Sequence, residues 1–203
     1  YQEKIIGYQF KLYRETRKYR VSFVFVMDKL DLINIDTKSS EYHFVETLML
    51  SAFPSDERRD ESLQRRIVDD DDRMRCLVIK DGDVSVGFIT VWTLTEIIYV
   101  EHFAIAEAFR RRGYGKLALA ELIRMSNVGR LILEVELPST EEAVRRISFY
   151  EKCGFELSAR PYVQPSYSPS KQSVPMSLMT YGKVGKQEVE NAVKEIYKIV
   201  YNV

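Results

Sequence analysis

The sequence has few cysteines, no excess of charge of either sign and no long apolar run. Its two cysteines, Cys76 and Cys153, are too few for a disulfide framework and are typical of a reducing cytosol. Thirty basic residues balance thirty acidic ones, whereas a general nucleic-acid or membrane-surface binder needs a basic excess. No apolar stretch approaches the roughly 20 residues that span a bilayer. These absences predict a cytoplasmic protein without a nucleic-acid or membrane partner.

The remaining composition is that of one globular domain with a sizeable core: 203 residues, 45% hydrophobic and 30% charged. We divide the chain into a basic N-terminal extension (1–26), which ends in a strand-like segment, a central domain (27–184) and a C-terminal amphipathic helix (185–203). The two terminal segments are candidates for covering the core or for mediating a homodimer. The charged stretch 55–73 is expected to be a solvated helix and turn.

The order of elements predicts an α/β domain. Three successive strands with hairpin connections precede a helix, a strand, a second helix and a last pair of strands. In order, these elements are predicted at 76–79, 84–93, 97–105, 116–127, 131–137, 139–153, 155–163 and 174–180. This order predicts a mixed, mostly antiparallel central sheet flanked by helices.

A glycine-rich loop between the strand that ends near residue 105 and the following helix is the most informative motif. Gly113 and Gly115 let the backbone approach a ligand closely, and Arg110, Arg111 and Arg112 add positive charge. The first amides of the helix have no intrahelical partners, and the helix dipole favours an anion. The loop is therefore predicted to bind a phosphate compound.

Two common phosphate motifs fit this loop poorly. The P-loop pattern Gly-x-x-x-x-Gly-Lys-Ser/Thr is absent. The segment from Gly113 to Ala118 matches the dinucleotide pattern G-x-G-x-x-A, and Glu134 follows about twenty residues later. In dinucleotide folds, however, the glycines come directly off the first strand, whereas here Ala106–Arg112 intervene. The upstream strands are also joined by hairpins instead of helical crossovers, so dinucleotide binding is a distant third alternative.

Three motifs in order resemble the GNAT superfamily of N-acetyltransferases. Arg110-x-x-Gly113-x-Gly115 resembles its acetyl-CoA signature, and Phe149-Tyr-Glu-Lys-Cys-Gly-Phe155 is similar to its Phe-Tyr-x-x-x-Gly-Phe element. Tyr99–Ile105 and Leu133–Glu136 resemble its central strands. The similarity covers roughly residues 28–181 and implies a GNAT-like acyl-CoA N-acyltransferase fold with acetyl-CoA as co-substrate.

The resemblance also implies where acetyl-CoA binds. The loop amides of residues 111–116 would hold the pyrophosphate, and Phe103–Ile105 would pair with the pantetheine arm as an added strand. The predicted cofactor-binding residues are Phe103, Ala104, Ile105, Arg110, Arg111, Arg112, Gly113, Tyr114, Gly115 and Lys116.

Acetyl transfer from a thioester to an amine needs a neutral amine and benefits from a proton for the leaving thiolate. In the family the tyrosine of the Phe-Tyr element commonly serves as general acid, which here is Tyr150. The alternative for Tyr150 is a ring packed in the core with its hydroxyl at the surface. No protein nucleophile is needed, because the thioester is already activated.

Glu101 is the leading candidate for the general base, since it interrupts an otherwise apolar strand. Strict alternation places Tyr99, Glu101 and Phe103 on one face and His102 on the other. A bulge, which is usual on this strand in the family, would change that parity, so His102 is a rival base. Both residues have a structural hydrogen bond or salt bridge as the alternative. The carboxyls at positions 134 and 136 either line the same cleft or form the polar face of their strand, and we favour the second.

The predicted acceptor is an unidentified primary amine on a small molecule or a peptide. By resemblance, its pocket is built by about residues 40–73 and 160–173, with Tyr162, Tyr167 and Tyr181 as candidate aromatic contacts. The competing function is a non-catalytic acyl-CoA-binding or sensing domain of the same fold. Retention of both Tyr150 and the polar pair Glu101–His102 favours the enzyme.

Overall fold

The computed structural model describes residues 8–9, 26–27 and 29–203. Its strands are β1 (Tyr8–Gln9), β2 (Val26–Met27), β3 (Asp31–Ile35), β4 (Met74–Asp81), β5 (Val84–Thr93), β6 (Ile98–Ile105), β7 (Leu131–Glu136), β8 (Phe155–Leu157), β9 (Tyr162–Gln164) and β10 (Val174–Tyr181). Its helices are α1 (Tyr42–Ala52), α2 (Glu61–Asp70), α3 (Tyr114–Met125), α4 (Glu141–Lys152) and α5 (Lys186–Glu195), and a π-helix (Ile196–Tyr201) continues α5. Most of the predicted N-terminal extension lies outside the described residues.

One mixed sheet organises the domain. Its strand order is β3-β4-β5-β6-β7-β10-β8, with β9 also paired to β10. The β6–β7 pairing is parallel and the remaining pairings are antiparallel. The predicted fold class, a mixed and mostly antiparallel sheet flanked by helices, is confirmed.

Alternating side chains of the sheet build two separate cores. The α1/α5 face carries Tyr99 and Ile132 under helices α1 and α5. The α3/α4 face carries Val100, Leu131 and Leu133 under helices α3 and α4. Before the fork, consecutive residues such as Tyr99 and Val100 thus point to opposite cores, as the period of two requires.

Local signals define the ends of α4, the helix that carries Tyr150. The Thr140 hydroxyl accepts a hydrogen bond from the Ala143 amide at 3.1 Å, so it satisfies one of the free amides of the first turn. Gly154 follows the helix with φ of 90°, a conformation that glycine adopts without a Cβ clash. The Ser139-Thr-Glu-Glu142 segment predicts a capping box at the start of this helix and Gly154 its C-cap; the structure has the cap at Thr140 and Gly154 just past the helix end.

The C-terminal helix packs on the α1/α5 face. Its buried side chains are Ala192, Val193, Ile196, Val200 and Tyr201. Helix α5 also contacts the turn between β5 and β6, where the Thr95 amide donates to the Glu195 carboxylate at 2.9 Å. Covering the core was one of the two roles considered for this segment; the homodimer role stays a prediction.

The charged stretch 55–73 is only partly solvated, which corrects the expectation. Arg59 and Gln64 are buried, with exposed fractions of 2% and 4%, because α2 packs against β4 and the C-terminal segment covers its start. Within the described part of the chain, no helix is both long and apolar enough to cross a membrane.

Candidate active site

The parallel strands β6 and β7 separate part of the way along the sheet and leave a fork. They pair at Ile98, Tyr99 and Val100, and the last paired rung is Val100 with Leu133. The next residues on the two strands are Glu101 and Glu134. Both carboxyls therefore stand at the point where the sheet opens.

A bulge on β6 determines which side chains face this opening. His102 is opposite Thr90 and Val100 is opposite Val91, so Glu101 is the extra, unpaired residue. As a result Glu101 and His102 both lie on the α1/α5 face, and Phe103 returns to the α3/α4 face. The bulge considered from the sequence is present, and it brings the two rival bases to one side of the sheet.

Glu101 is enclosed and fully hydrogen-bonded. Its side chain is 0% exposed and its Oε1 lies 2.5 Å from Nη1 of Arg59, whose side chain is 1% exposed. Trp92 donates to Oε2 at 2.8 Å and Tyr167 donates to Oε1 at 2.9 Å. Burial opposes the charge, yet Arg59 and these donors outweigh it and lower the pKa of Glu101. Glu101 is thus held as a carboxylate, away from solvent.

Both ring nitrogens of His102 are engaged. Its Nε2 lies 3.0 Å from the carbonyl oxygen of Glu57, and a carbonyl only accepts, so Nε2 carries the proton. Its Nδ1 then accepts from the Thr90 hydroxyl at 3.1 Å. Burial lowers the pKa of His102 and outweighs the attraction of the Glu101 charge. This geometry indicates a neutral imidazole that holds the bulge in place.

Glu134 lies in a cluster of tyrosines on the same face. The Tyr162 hydroxyl donates to its Oε1, and the Tyr201 hydroxyl lies 3.0 Å from its Oε2. The Tyr99 hydroxyl lies 3.3 Å from that of Tyr201. Glu134 has no cationic partner in this cluster, and burial raises its pKa to about 7 in spite of the tyrosine donors. As a residue it is partly exposed.

Two hydroxyls connect the carboxyls. Tyr201 lies 3.3 Å from the Tyr167 hydroxyl, and Tyr167 donates to Glu101 at 2.9 Å. A continuous path therefore runs from Glu134 through Tyr201 and Tyr167 to Glu101 and Arg59. The tyrosines come from a loop and from the C-terminal π-helix, so elements distant in sequence complete the cluster.

Tyr150 lies on the opposite face of the sheet. It is buried on the α3/α4 face, where its ring packs edge-on against Phe149 and Phe155 with centroid distances of 5.2 and 5.6 Å. Burial raises the pKa of Tyr150 to about 12, which keeps the phenol protonated. A buried neutral phenol is suited to donate a proton.

The glycine loop has the geometry of an anion site. Gly113 has φ of 88° and immediately precedes α3, whose N-terminus has no side-chain cap. Arg111 also has a positive φ, of 60°. Arg111, Arg112 and Lys116 are exposed, whereas Arg110 Nε is bound to the Ile105 carbonyl at 3.0 Å. These features leave backbone amides available to a phosphate and place cations beside it.

Two predicted cofactor residues, Tyr114 and Gly115, have additional structural roles. The Tyr114 hydroxyl donates to Asp81 at 2.6 Å and its side chain is buried, so only its backbone is suited to contact a cofactor. A Cβ on Gly115 would lie 3.1 Å from the Phe149 ring and 3.6 Å from the Phe103 ring. Glycine at this position therefore keeps the two aromatic rings close to the loop.

The edge of β6 fits an extended pantetheine arm. Beyond Val100 the strand has no β7 partner among the described residues, while Phe103, Ala104 and Ile105 still pair with β5 on the other side. An unpaired edge can accept an added extended chain. Among all the residues that the structure describes, no three His, Cys, Asp or Glu side chains converge to hold a metal ion.

Comparisons with known proteins agree with this architecture. The sequence matches the family model described as "Acetyltransferase (GNAT) family" over residues 42–155. A putative GNAT acetyltransferase from Bacteroides thetaiotaomicron is 36% identical, with a TM-score of 0.81 over 85% of this chain and 99% of that one. A search of the curated proteins gave no match.

More distant structures share the fold. A GNAT acetyltransferase from Elizabethkingia anophelis with acetyl-CoA bound is 16% identical, with a TM-score of 0.54 over 77% of this chain and 99% of that one. A Bacillus subtilis acetyltransferase in complex with CoA is 17% identical, with a TM-score of 0.52 over 77% and 99%.

The fold and its glycine loop are those of an acetyltransferase. The chain belongs to the GNAT acetyltransferase family. Its acetyl donor is acetyl-CoA.

Several residues of the site were not predicted from the sequence. Arg59 lies in a stretch of mixed charge that looks solvated, and Tyr201 lies at the end of a helix expected only to cover the core. Glu134 is part of the buried cluster, not of an exposed polar face. The one available signal was Glu101 itself, since a carboxylate within an apolar strand requires a buried cation or donors. Of the candidate acceptor tyrosines, Tyr162 and Tyr167 join the cluster, and Tyr181 packs on the other face.

Proposed function

We propose that the protein moves the acetyl group of acetyl-CoA to a primary amine by direct attack of the amine on the thioester. The observation that carries this proposal is the fork between β6 and β7. Two linked carboxyls lie at this fork on the α1/α5 face, and the protonated phenol of Tyr150 is buried on the α3/α4 face of the same sheet. The donor thioester would lie in the fork, and the amine would approach from the carboxyl side.

The acetyl donor is proposed to be held by backbone more than by side chains. Amides of residues 111–116 would bind the pyrophosphate, with Arg111, Arg112 and Lys116 adding positive charge. Phe103–Ile105 would pair with the pantetheine arm, and a backbone amide in this segment would donate to the oxyanion of the tetrahedral intermediate. Arg110 would support the loop through its bond to Ile105.

In the proposed reaction the amine nitrogen bonds to the carbonyl carbon, and the carbon–sulfur bond then breaks. The Tyr150 hydroxyl gives its proton to the leaving thiolate and regains one from the nitrogen of the new amide. Glu101, the base candidate from sequence, is sealed from an approaching amine. We therefore propose that it orients the Tyr167 hydroxyl instead of taking the amine proton itself, and that His102 holds the bulge.

The test begins with calorimetric titration of acetyl-CoA, followed by thiol release in the presence of a panel of amines: n-butylamine, spermidine and a peptide with a free α-amino group. Tyr150→Phe should lower turnover by at least tenfold and leave acetyl-CoA affinity unchanged. Tyr181→Phe, on the same face of the sheet, is the matched control and should retain full turnover.

Unchanged turnover in Tyr150→Phe would remove the acid role from Tyr150. Acetyl-CoA binding without transfer to any amine would instead favour the non-catalytic acyl-CoA-binding function. The C-terminal segment over the carboxyl side of the fork is the observation that gives this second function weight.

A further inference from the structure

We propose that Glu134 is the carboxyl that takes the proton of the acceptor amine, and that Tyr201 from the C-terminal π-helix positions it. This inference rests on the proposed function, since it assigns a role within the same reaction. It concerns a glutamate of β7 and a tyrosine that lies well beyond the residues matched by the family model.

The immediate partners distinguish the two carboxyls at the fork. The Glu101 side chain is 0% exposed and surrounded by Arg59, Trp92 and Tyr167. Glu134 is the corresponding residue on the other strand of the fork, and its oxygens accept from the hydroxyls of Tyr162 and Tyr201. Glu101 is therefore committed to an ion pair, whereas Glu134 is held by neutral hydroxyls.

The charges of the cluster also distinguish them. Arg59 neutralises Glu101 at 2.5 Å, and no second cation contacts Glu134 among the described residues. Two buried carboxylates that share one cation favour uptake of one proton. That proton belongs on the carboxyl without the cation, which is Glu134.

Counting hydroxyl protons leads to the same carboxyl. Tyr167 donates to Glu101, and Tyr201 lies within hydrogen-bond distance of both Tyr167 and Glu134. Each hydroxyl has a single proton. If Glu134 is ionised, Tyr201 donates to it and the Tyr167–Tyr201 contact lacks a proton. If Glu134 is protonated, it donates to Tyr201, which donates to Tyr167, and every contact in the path is satisfied.

The groups around Glu134 come from four elements, and apart from one carboxylate they are neutral phenols. They are Tyr99 and Glu101 of β6, Tyr162 of β9, Tyr167 of the following loop, and Tyr197 and Tyr201 of the C-terminal helix. Burial in this setting raises the pKa of Glu134 to about 7, close to the pH at which a general base is most effective.

The proton balance is simple. The ammonium form of the amine transfers one proton to the Glu134 carboxylate, which becomes a carboxylic acid, and the freed lone pair attacks the thioester carbonyl. The proton that Tyr150 gives to the leaving thiolate is replaced by one from the nitrogen of the new amide, so Tyr150 ends the reaction protonated. One proton per turnover then leaves Glu134 for solvent.

The experiment compares Glu134→Gln, Glu101→Gln and Glu136→Gln, with n-butylamine as acceptor and thiol release as readout from pH 6 to 9. Glu136 is the matched control, since it lies two residues along the same strand and its partner is the partly exposed Arg146. Acetyl-CoA affinity is measured by calorimetry in each variant.

Glu134→Gln should lower kcat/KM for n-butylamine by at least a hundredfold at pH 7. The rise of kcat/KM near pH 7 that is expected in the wild type should disappear. The kcat/KM of the variant should instead increase tenfold per pH unit, in proportion to the fraction of n-butylamine that is neutral. Acetyl-CoA affinity should stay unchanged, and Glu136→Gln should behave as the wild type. Tyr201→Phe should move the rise upward in pH, because the carboxylate loses a donor; a purely structural tyrosine would lower activity without that shift.

Near-normal activity of Glu134→Gln would overturn this inference alone, and a hundredfold loss confined to Glu101→Gln would transfer the role to Glu101. A wild-type protein that binds acetyl-CoA but acetylates neither n-butylamine nor the other amines of the panel would instead overturn the proposed function, and the role of Glu134 with it.

Discussion

Removal of the Arg59 guanidinium should destabilise the protein far more than removal of an exposed arginine. Arg59→Met keeps an apolar side chain of similar length but deletes the 2.5 Å contact with Glu101 and the 2.9 Å hydrogen bond to the Val200 carbonyl. Both partners of the ion pair are buried, so the lost charge leaves Glu101 uncompensated. Breaking such a pair costs about 3–5 kcal/mol of unfolding free energy.

For a chain of this length, about 2–4 °C of Tm is lost per kcal/mol, so Tm should fall by roughly 6–20 °C. The assay is urea unfolding followed by fluorescence of Trp92, the single tryptophan of the chain, which donates to the same carboxylate. Arg65→Met is the control, because Arg65 pairs with Glu46 at the surface with 47% of its side chain exposed. It should cost at most about 1 kcal/mol.

A double-mutant cycle tests the cause of the loss. Adding Glu101→Gln to Arg59→Met removes the stranded charge while an amide oxygen still accepts a hydrogen bond. The double variant should therefore lose less free energy than the sum of the two single variants, by about 0.5–3 kcal/mol. A cost for Arg59→Met no larger than that of Arg65→Met, or additive losses in the cycle, would refute the buried-charge argument.

Two further predictions concern pH and the glycine loop. Because the pKa of Glu134 rises from 4.5 in the unfolded chain to about 7, the folded state holds its proton more tightly. About 3 kcal/mol of unfolding free energy, present below pH 4.5, should therefore be lost as pH rises to 7. Urea unfolding of the wild type from pH 4.5 to 8 should show this decrease in unfolding free energy. An equal decrease in Glu134→Gln would contradict the prediction. Gly115→Ala places a methyl 3.1 Å from Phe149 and should weaken acetyl-CoA binding at least tenfold by calorimetry; an unchanged affinity would show that the loop tolerates the displaced ring.

Local patterns were enough to predict most of the fold. The hairpin-linked strands β4, β5 and β6 are largely apolar runs separated by short turns, so each can be recognised within a few residues. The α4 helix carries its own start and stop signals. The order of strands and helices then limits the topology to a mixed sheet, and the glycine loop before α3 predicts a phosphate-binding site from backbone chemistry alone.

The sequence alone could not order the candidate bases. The face of the sheet on which Glu101 and His102 lie depends on a bulge, because a single extra residue in a strand changes which face the following side chains occupy. Burial of a charge depends equally on its partners. Arg59 is 42 residues from Glu101, so no local pattern shows that the two would meet.

The sequence by itself determined the class of sheet, the position of the glycine loop before α3 and the placement of a tyrosine near the end of α4, because each depends on contacts within one element or between neighbours in the chain. Only the tertiary structure decided that Glu101 is sealed by Arg59 and that Glu134 lies among tyrosines from β6, β9 and the C-terminal helix. The properties of these carboxyls come from desolvation and from distant donors and charges, and those exist only after the chain has folded.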